Sequence, residues 1–497
     1  MNQALKERIR CEDLWEKVRS AREAASYIEP GMTVGVSGFG KSGDTKAVAA
    51  ALAKRAEAGE KLNLTVYSGA SMGDYFDGKL TRAGALKCRM PYQTNKDLRN
   101  AINEGEVSYL DVPVGIMPRW IRNGVLNDID VALVEACAIT EEGNIIPTTS
   151  VGATETYVAC AKKIIVEINT AVPASLEGIH DIYTPEPAPD TKPIPIIHAG
   201  DRIGTPYIKC DPSRIAAIVE SDVLDEGIDE MPIDDEYRHM SELLIGFLKD
   251  EVKAGRLCEP LPPLQAGVGG VSNAVLEGLK ESDFEHLTVY SEIMQNSILD
   301  LIEAGKVDAA SACAVTMPGK LIPQFFSRFE KYKDKLVLRP MEISNCAEVI
   351  RRLGVIAINT VIEADLYGNM NSSYIGGNRL MNGVGGSGDF CQNAGISIFI
   401  TKSYAKDGRI SSIVPMVSHI DHNIKTANVL ITEQGVADLR GLNVKDRAEL
   451  IIEKCAHPNF KPALKEYLRK ASVLSEYPAF PWSTEANNMF RAKYANG

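Results

Sequence analysis

Three stretches of this chain combine residue types and spacings suited to chemistry. The run Gly267-Val-Gly-Gly270 stands before an Ala/Leu-rich segment that reads as a helix. Backbone N–H groups at such a strand–helix turn can face an anion or a developing oxyanion. Gly267-Val-Gly-Gly-Val-Ser lacks the third glycine of a dinucleotide-binding turn, and by itself it is equally a tight structural turn. The second stretch is Met381-Asn-Gly-Val-Gly-Gly-Ser-Gly-Asp-Phe390. Residues this small do not build a core; they let a backbone approach something closely. The third is Glu292, directly after the β-branched pentapeptide Leu287-Thr-Val-Tyr-Ser291 and directly before Ile-Met-Gln-Asn-Ser-Ile-Leu. Open α/β sheets place ligand sites at strand C-termini. A carboxylate with an ordinary pKa of about 4.3 is ionised at neutral pH, so it is a nucleophile that needs no general base.

Other candidates carry less. Lys406, in Thr401-Lys-Ser-Tyr-Ala-Lys-Asp-Gly408, reads from local sequence as a surface lysine beside Asp407. Ser418-His-Ile-Asp-His422 has two histidines three apart but no evident third ligand; His419 and His422 are read as structural, and no metal is expected. Arg89 and Arg99 have the charge to meet a substrate carboxylate, but sequence alone reads each as an ordinary surface arginine.

The elements that must position these residues are legible through a duplication. Leu-Thr-Val-Tyr-Ser occurs at Leu64–Ser68, followed by Gly69, and again at Leu287–Ser291, followed by Glu292. Ser37-Gly-Phe-Gly-Lys-Ser-Gly-Asp-Thr-Lys-Ala-Val-Ala leads into the first copy, and Ala266-Gly-Val-Gly-Gly-Val-Ser-Asn-Ala-Val-Leu leads into the second. Each is a glycine-rich turn, a helix and a β-branched strand, the pattern of a βαβ unit. Val131–Asn144 and Asn359–Asn369 both run from an apolar strand through Glu-Ala (Glu135, Glu363) to Gly-Asn. The expected fold is α/β: two tandem homologous open α/β domains, 1–225 and 226–497, with a C-terminal extension from Pro458 that packs on the body. The proline-rich Tyr183–Pro195 is expected to be a surface excursion of the first domain. In the first half, Ser37–Gly40 and Ser68–Ser71 occupy the positions of Ala266–Gly269 and Ser291–Met294 without a nucleophile, and Gly69 is read as leaving room there.

Composition bounds the function class. The chain has 497 residues, more than one ordinary core, and is 45% hydrophobic and 24% charged, as soluble globular proteins are. A net charge of −12 argues against a nucleic-acid surface. No apolar run reaches a membrane-spanning length and the N-terminal residues lack a secretory core, so neither a membrane partner nor export is expected. Ten cysteines, scattered singly from Cys11 to Cys455, read as reduced thiols that mostly fill the core of a cytoplasmic protein.

Taken together, Gln265-Ala-Gly-Val-Gly269, Tyr290-Ser-Glu-Ile-Met-Gln295, Ile343-Ser-Asn345, Asp365-Leu-Tyr-Gly-Asn369, Asn382–Phe390 and Ile431-Thr-Glu-Gln-Gly435 resemble the class I coenzyme A transferases, in the acetyl-CoA hydrolase/transferase branch, over nearly the whole chain. The resemblance implies that Glu292 is a nucleophile forming a glutamyl-CoA thioester. It implies that the backbone N–H groups of Val268 and Gly386 are oxyanion donors, and that Asn345 and Glu433 flank and orient the glutamate. Gly267, Val268, Gly269, Gly270, Val271, Asn382, Gly386 and Lys406 match positions lining the CoA site. The implied activity is transfer of CoA between short carboxylic acids, succinyl-CoA with acetate or propionate. Acyl-CoA and small acids are the partners, no cofactor is needed beyond CoA as substrate, and a homodimer is the expected assembly. Two alternatives stand beside it: hydrolysis of acetyl-CoA through the same nucleophile, and a non-catalytic acyl-CoA-binding protein on the same fold.

Overall fold

A computed structural model describes residues 3–474. The first sheet contains β1 (Thr33–Val36), β2 (Leu64–Tyr67), β3 (Leu86–Met90), β4 (Ser108–Tyr109), β5 (Val131–Ile139), β6 (Ile145–Pro147), β7 (Lys163–Asn169) and β8 (Ile215–Ser221). The second contains β9 (Leu264–Ala266), β10 (Leu287–Tyr290), β11 (Val307–Ala312), β12 (Leu336–Leu338), β13 (Ile356–Thr360), β14 (Ile396–Ile400), β15 (Val429–Thr432) and β16 (Gly435–Asp438). The spatial orders are β4-β3-β2-β1-β5-β7-β8, with β6 antiparallel on β5, and β12-β11-β10-β9-β13-β14-β15-β16. Apart from β6 and β16 the two orders correspond strand for strand, and the repeated pentapeptide is the third strand of each. The duplication is therefore one of topology as well as of sequence.

The sequence dictates this arrangement through burial. All nine residues of β5 are buried, as a parallel strand covered on both faces requires, and its Val/Ala/Ile run has no polar face to offer water. In both lobes a glycine-rich turn leads from the first strand into a helix, Ala47–Glu57 or Gly270–Glu281, packed on the sheet. The correspondence fails at one expected pair. Glu135 lies within β5, whereas Glu363 lies beyond the end of β13 and opens a separate short strand, Glu363–Asp365, that pairs antiparallel with Met370–Asn371.

The first lobe's glycine turn is closed by its own charges. Lys46 Nζ, fully buried, ion-pairs with Glu135 and with Asp225 Oδ1 at 2.7 Å, and Glu167 caps the following helix by accepting from the N–H groups of Lys46, Ala47 and Val48. Gly69 does not leave room, contrary to expectation. A Cβ there would meet Phe39 Cδ2 at 2.6 Å and the Gly38 carbonyl at 2.8 Å. The position equivalent to the nucleophile's is filled by packing.

The lobes are stitched by backbone hydrogen bonds: Val151 N–H to Cys313 O (2.8 Å), Val315 N–H to Thr149 O (3.0 Å) and Met341 N–H to Gly152 O (2.8 Å). The proline segment is only partly an excursion. Its middle is exposed, but Ile194, with Ile196 and Ala199 after it, buries against Tyr290, Ile343 and Phe390 of the second lobe. The helix Lys461–Leu474 packs through Leu464, Tyr467 and Ala471 on the second lobe; the rest of the expected extension, 475–497, lies outside the described residues. The ten cysteines are free thiols, of which Cys137, Cys313, Cys391 and Cys455 are buried, so fewer are core fillers than expected. Among the described residues no helix is long and apolar enough to cross a membrane.

Candidate active site

Glu292 owes its place to an anchored strand end. Tyr290, buried, donates its hydroxyl to Ile343 O at 2.6 Å; Ser291 N–H bonds Ser311 O at 2.9 Å; and Cys313 N–H bonds the Glu292 carbonyl at 2.9 Å. With the backbone fixed on both sides of residue 292, its side chain projects into a cavity of about 470 Å³ between the lobes.

The carboxylate meets donors from two directions. Asn345 Nδ2 donates to Oε2 at 3.1 Å, and the backbone N–H of Gly386 also stabilises the charged form. A Cβ built on Gly386 would lie 1.3 Å from Oε2. Gly386 has φ −80°, which any residue adopts, so the close approach of the glutamate, not the backbone conformation, is what calls for glycine. Asn345 is itself held: its Oδ1 accepts from Ser344 Oγ at 2.7 Å, which fixes the amide so that Nδ2 faces Glu292 and Asp389 Oδ2 (3.1 Å). Asp389 is half-buried and also accepts from Gly115 N–H of the first lobe at 3.0 Å. The nucleophile candidate thus sits at the end of a hydrogen-bonded chain that crosses the seam between lobes.

This environment changes the expected protonation. Burial pushes the Glu292 carboxyl up to about 7, and the nearby Asp389 charge adds to the rise; the Asn345 and Gly386 donors oppose it. The expectation of a fully ionised carboxylate with an ordinary pKa is corrected: without ligand, both forms are populated near neutrality. Turnover that needs ionised Glu292 should therefore gain in kcat/KM as pH rises through about 7. Asp389→Asn keeps both hydrogen bonds but removes the negative neighbour, so that limb should move to lower pH. A pH profile of the two proteins checks both statements, and an unmoved limb would remove Asp389 from the account.

The glycine turn Gly267–Gly270 is braced from behind. Gln295 Nε2 donates to Gly267 O at 2.7 Å and its Oε1 accepts from Gly269 N–H at 3.4 Å; Gln265 and Asn359 exchange amide hydrogen bonds at 2.9 and 3.2 Å between the ends of β9 and β13. Gly269 adopts φ +138°, a region closed to other residues. Gly267 and Val268 line the cavity with Glu292, Asn382 and Gly386. Gly269, Gly270 and Val271 do not: Gly270 opens the helix against Tyr237, and the Val271 side chain enters the core.

Two expected residues lie elsewhere. Glu433, at the end of β15, accepts from Ser403 N–H (2.8 Å), Ser403 Oγ and Gln434 Nε2 (2.9 Å), and it makes no bond to Glu292. Its carboxylate is spent on the turn after β14. Lys406 is exposed at the tip of the Tyr404–Ser411 hairpin, with φ +51°, and does not line the cavity. His419 and His422 turn to different partners: His419 Nε2 lies 3.3 Å from Asp421 and packs on Tyr374, while buried His422 contacts Ser387 Oγ at 3.1 Å and Phe399. Arg89 is fully buried and paired with Asp77, not a surface residue. Arg99 lines the cavity.

The first lobe supplies the facing wall through Gly40, Lys41, Ala70 and Ser71, and through Tyr92, whose hydroxyl accepts from Asn382 Nδ2 at 3.1 Å. Asp389 and Gln295 stood inside motifs visible in the sequence, but nothing local marked their role. Tyr92 and Gly115 had no signal at all, because only the docking of the lobes brings Tyr92 to the cavity and Gly115 to Asp389.

A glutamate at a strand end between two glycine-rich loops, on duplicated parallel sheets, defines a coenzyme A transferase fold. Solved structures with this fold include 4-hydroxybutyrate CoA-transferase from Porphyromonas gingivalis (TM-score 0.63, 22% identity, covering 92% of this chain and 99% of that one) and RipA from Yersinia pestis (TM-score 0.71, 22% identity, 92% and 97%). Residues 1–220 match the acetyl-CoA hydrolase/transferase N-terminal domain and residues 323–468 the C-terminal domain of the same family. The chain belongs to the acetyl-CoA hydrolase/transferase family and is an enzyme. It is 48% identical to succinyl-CoA:acetate CoA-transferase of Clostridium kluyveri over 93% of this chain and 86% of that one. It is 40% identical both to propanoyl-CoA:succinate CoA transferase of Escherichia coli (93% and 94%) and to acetyl-CoA hydrolase of Saccharomyces cerevisiae (94% and 91%). Glu292 lies between the two matched domains.

Proposed function

We propose that this enzyme transfers CoA between short carboxylic acids, succinate with acetate or propionate, through a thioester on Glu292. The observation that carries the reading is the Glu292 carboxylate in the inter-lobe cavity, with Asn345 Nδ2 donating to its Oε2 and the Gly386 N–H favouring its charged form. In its ionised form it attacks the acyl-CoA carbonyl. The C–S bond breaks, giving a mixed anhydride and CoA thiolate. The thiolate attacks the glutamyl carbonyl carbon and releases the first acid as a carboxylate. A second carboxylate attacks the glutamyl thioester and expels the thiolate, which then takes the new acyl group and returns Glu292 as a carboxylate. Charge and atoms balance at every step without a proton donor.

When the thiolate adds to the glutamyl carbonyl, negative charge develops on a Glu292 oxygen. Asn345 Nδ2 already donates to Oε2 and the Gly386 N–H favours the charged carboxylate, and one such preorganised donor is worth about 2.7–4 kcal/mol. The Val268 N–H is proposed for the equivalent charge on the substrate carbonyl, since its residue lines the cavity beside Glu292. Gly267, Val268 and Asn382 then border the CoA thiol end. Incubation with acyl-CoA and no acceptor, followed by borohydride reduction, digestion and mass spectrometry, should place the modification on Glu292; no adduct there would refute the covalent path.

Hydrolysis uses the same thioester with water as acceptor, and it is the activity named for the Saccharomyces cerevisiae relative. CoA release from acetyl-CoA with and without a carboxylate separates the two. Strong acceptor dependence supports transfer, and equal rates would assign hydrolysis.

A further inference from the structure

The cavity holds a cation that the reaction above does not use. Arg99 lies on the helix Lys96–Asn103 of the first lobe and lines the same cavity as Glu292. Its Nη2 donates to Thr94 O at 3.1 Å, while its buried Nε has no hydrogen-bond partner. Among the described residues no carboxylate pairs with it. Another guanidinium, Arg379, opposes its charge, and among the described residues Arg379 has no ion pair either. Lys41, the other cation of the cavity wall, stands 4.0 Å from Asp229. A half-buried guanidinium with an idle donor, beside a like charge and no acid, is costly unless an anion arrives.

Its placement is fixed across the seam. Asn103, one turn along the same helix, donates to Leu380 O and accepts from Leu380 N–H, both at 2.9 Å, which docks the helix on the second lobe. Tyr92, Arg99 and Glu292 line one cavity. An anion held by Arg99 shares the cavity with the Glu292 carboxylate. The phosphates of CoA lie at the far end of the pantetheine arm from its sulfur, so that anion belongs to the acid, not to the carrier.

We infer that Arg99 binds the distal carboxylate of a short dicarboxylic substrate and so sets the preference for dicarboxylic over monocarboxylic acids. The inference rests on the CoA-transfer reading. The test gives acetyl-CoA as donor and compares succinate with propionate as acceptors in the wild type, Arg99→Gln and Arg99→Lys. In Arg99→Gln, kcat/KM for succinate should fall about 10- to 100-fold, the range for a lost charge-assisted hydrogen bond, with propionate changed less than threefold. Arg99→Lys should recover part of the loss. Propionate turnover and the Glu292 adduct in the same variants report on the transfer chemistry, so its failure is seen separately. Equal losses for both acids, or a raised KM for acetyl-CoA alone, would reassign Arg99 to the carrier or the scaffold. An unchanged succinate-to-propionate ratio, or a wild type that does not accept succinate, would also overturn the inference.

Discussion

Glu292→Gln is expected to abolish CoA transfer while leaving the protein at least as stable as the wild type at pH 8. The amide has the shape of the carboxylate but cannot form the anhydride or the thioester. Loss of a covalent nucleophile should therefore cost about 10⁴-fold or more in kcat. The stability follows from the pKa. Burial raises the Glu292 carboxyl from 4.5 to about 7 in the folded protein. Between those values the folded state binds more protons than the unfolded one, so the group's contribution to stability falls as pH rises through that window. Above pH 7 the folded wild type holds a charged, partly desolvated carboxylate that a neutral amide relieves. Thermal unfolding at pH 8 should place the Tm of Glu292→Gln at or above that of the wild type, with the difference shrinking below pH 5. Turnover within tenfold of wild type would remove Glu292 as nucleophile. A large Tm drop would show that its ionised form is structural.

Gly386→Ala is expected to have the second largest effect, and for a steric rather than a conformational reason. At φ −80° alanine fits the backbone, but its Cβ would fall 1.3 Å from Glu292 Oε2 and 2.6 Å from Asn345 Nδ2. Either the glutamate leaves its donors or the loop retreats. In both cases the oxyanion contact is lost, with roughly a 10²–10³-fold drop in kcat/KM for each donor removed. Overpacking of this kind costs about 1–3 kcal/mol of stability. Gly388→Ala is the control two residues on, since a Cβ there meets only Val384 Cγ2 at 3.2 Å. Kinetics, adduct yield and urea unfolding of both variants check the argument; a Gly386→Ala enzyme with kinetics like those of Gly388→Ala would refute it.

The duplicated Leu-Thr-Val-Tyr-Ser carried most of the fold, because a parallel strand buried on both faces needs a continuous β-branched run and leaves that run in the sequence. The strand orders of the two sheets show how far the repeat extends. It misled where the two halves have diverged in packing. Gly69 looked like open space and is filled by Phe39 and the Gly38 backbone. Glu135 looked like the counterpart of Glu363 and instead holds Lys46 in the first lobe.

The candidate site divides in the same way. The chemical types were readable: Glu292 at a strand end and the glycines of two loops. Asn345 Nδ2 bonds the carboxylate and Gly386 abuts it, whereas Glu433 bonds Ser403 and Lys406 is exposed at a hairpin tip. No spacing rule states that Asp389 reaches both Asn345 and Gly115, or that Arg99 enters the cavity unpaired. By itself the sequence determined the duplicated α/β fold, the family and the nucleophile candidate, because local burial patterns and motifs encode them. Only the tertiary structure decided the protonation of Glu292, the chain of donors behind it and the first-lobe wall in front of it. Desolvation and charge–charge interaction depend on distances between segments far apart in sequence, and those distances exist only once the two lobes have docked.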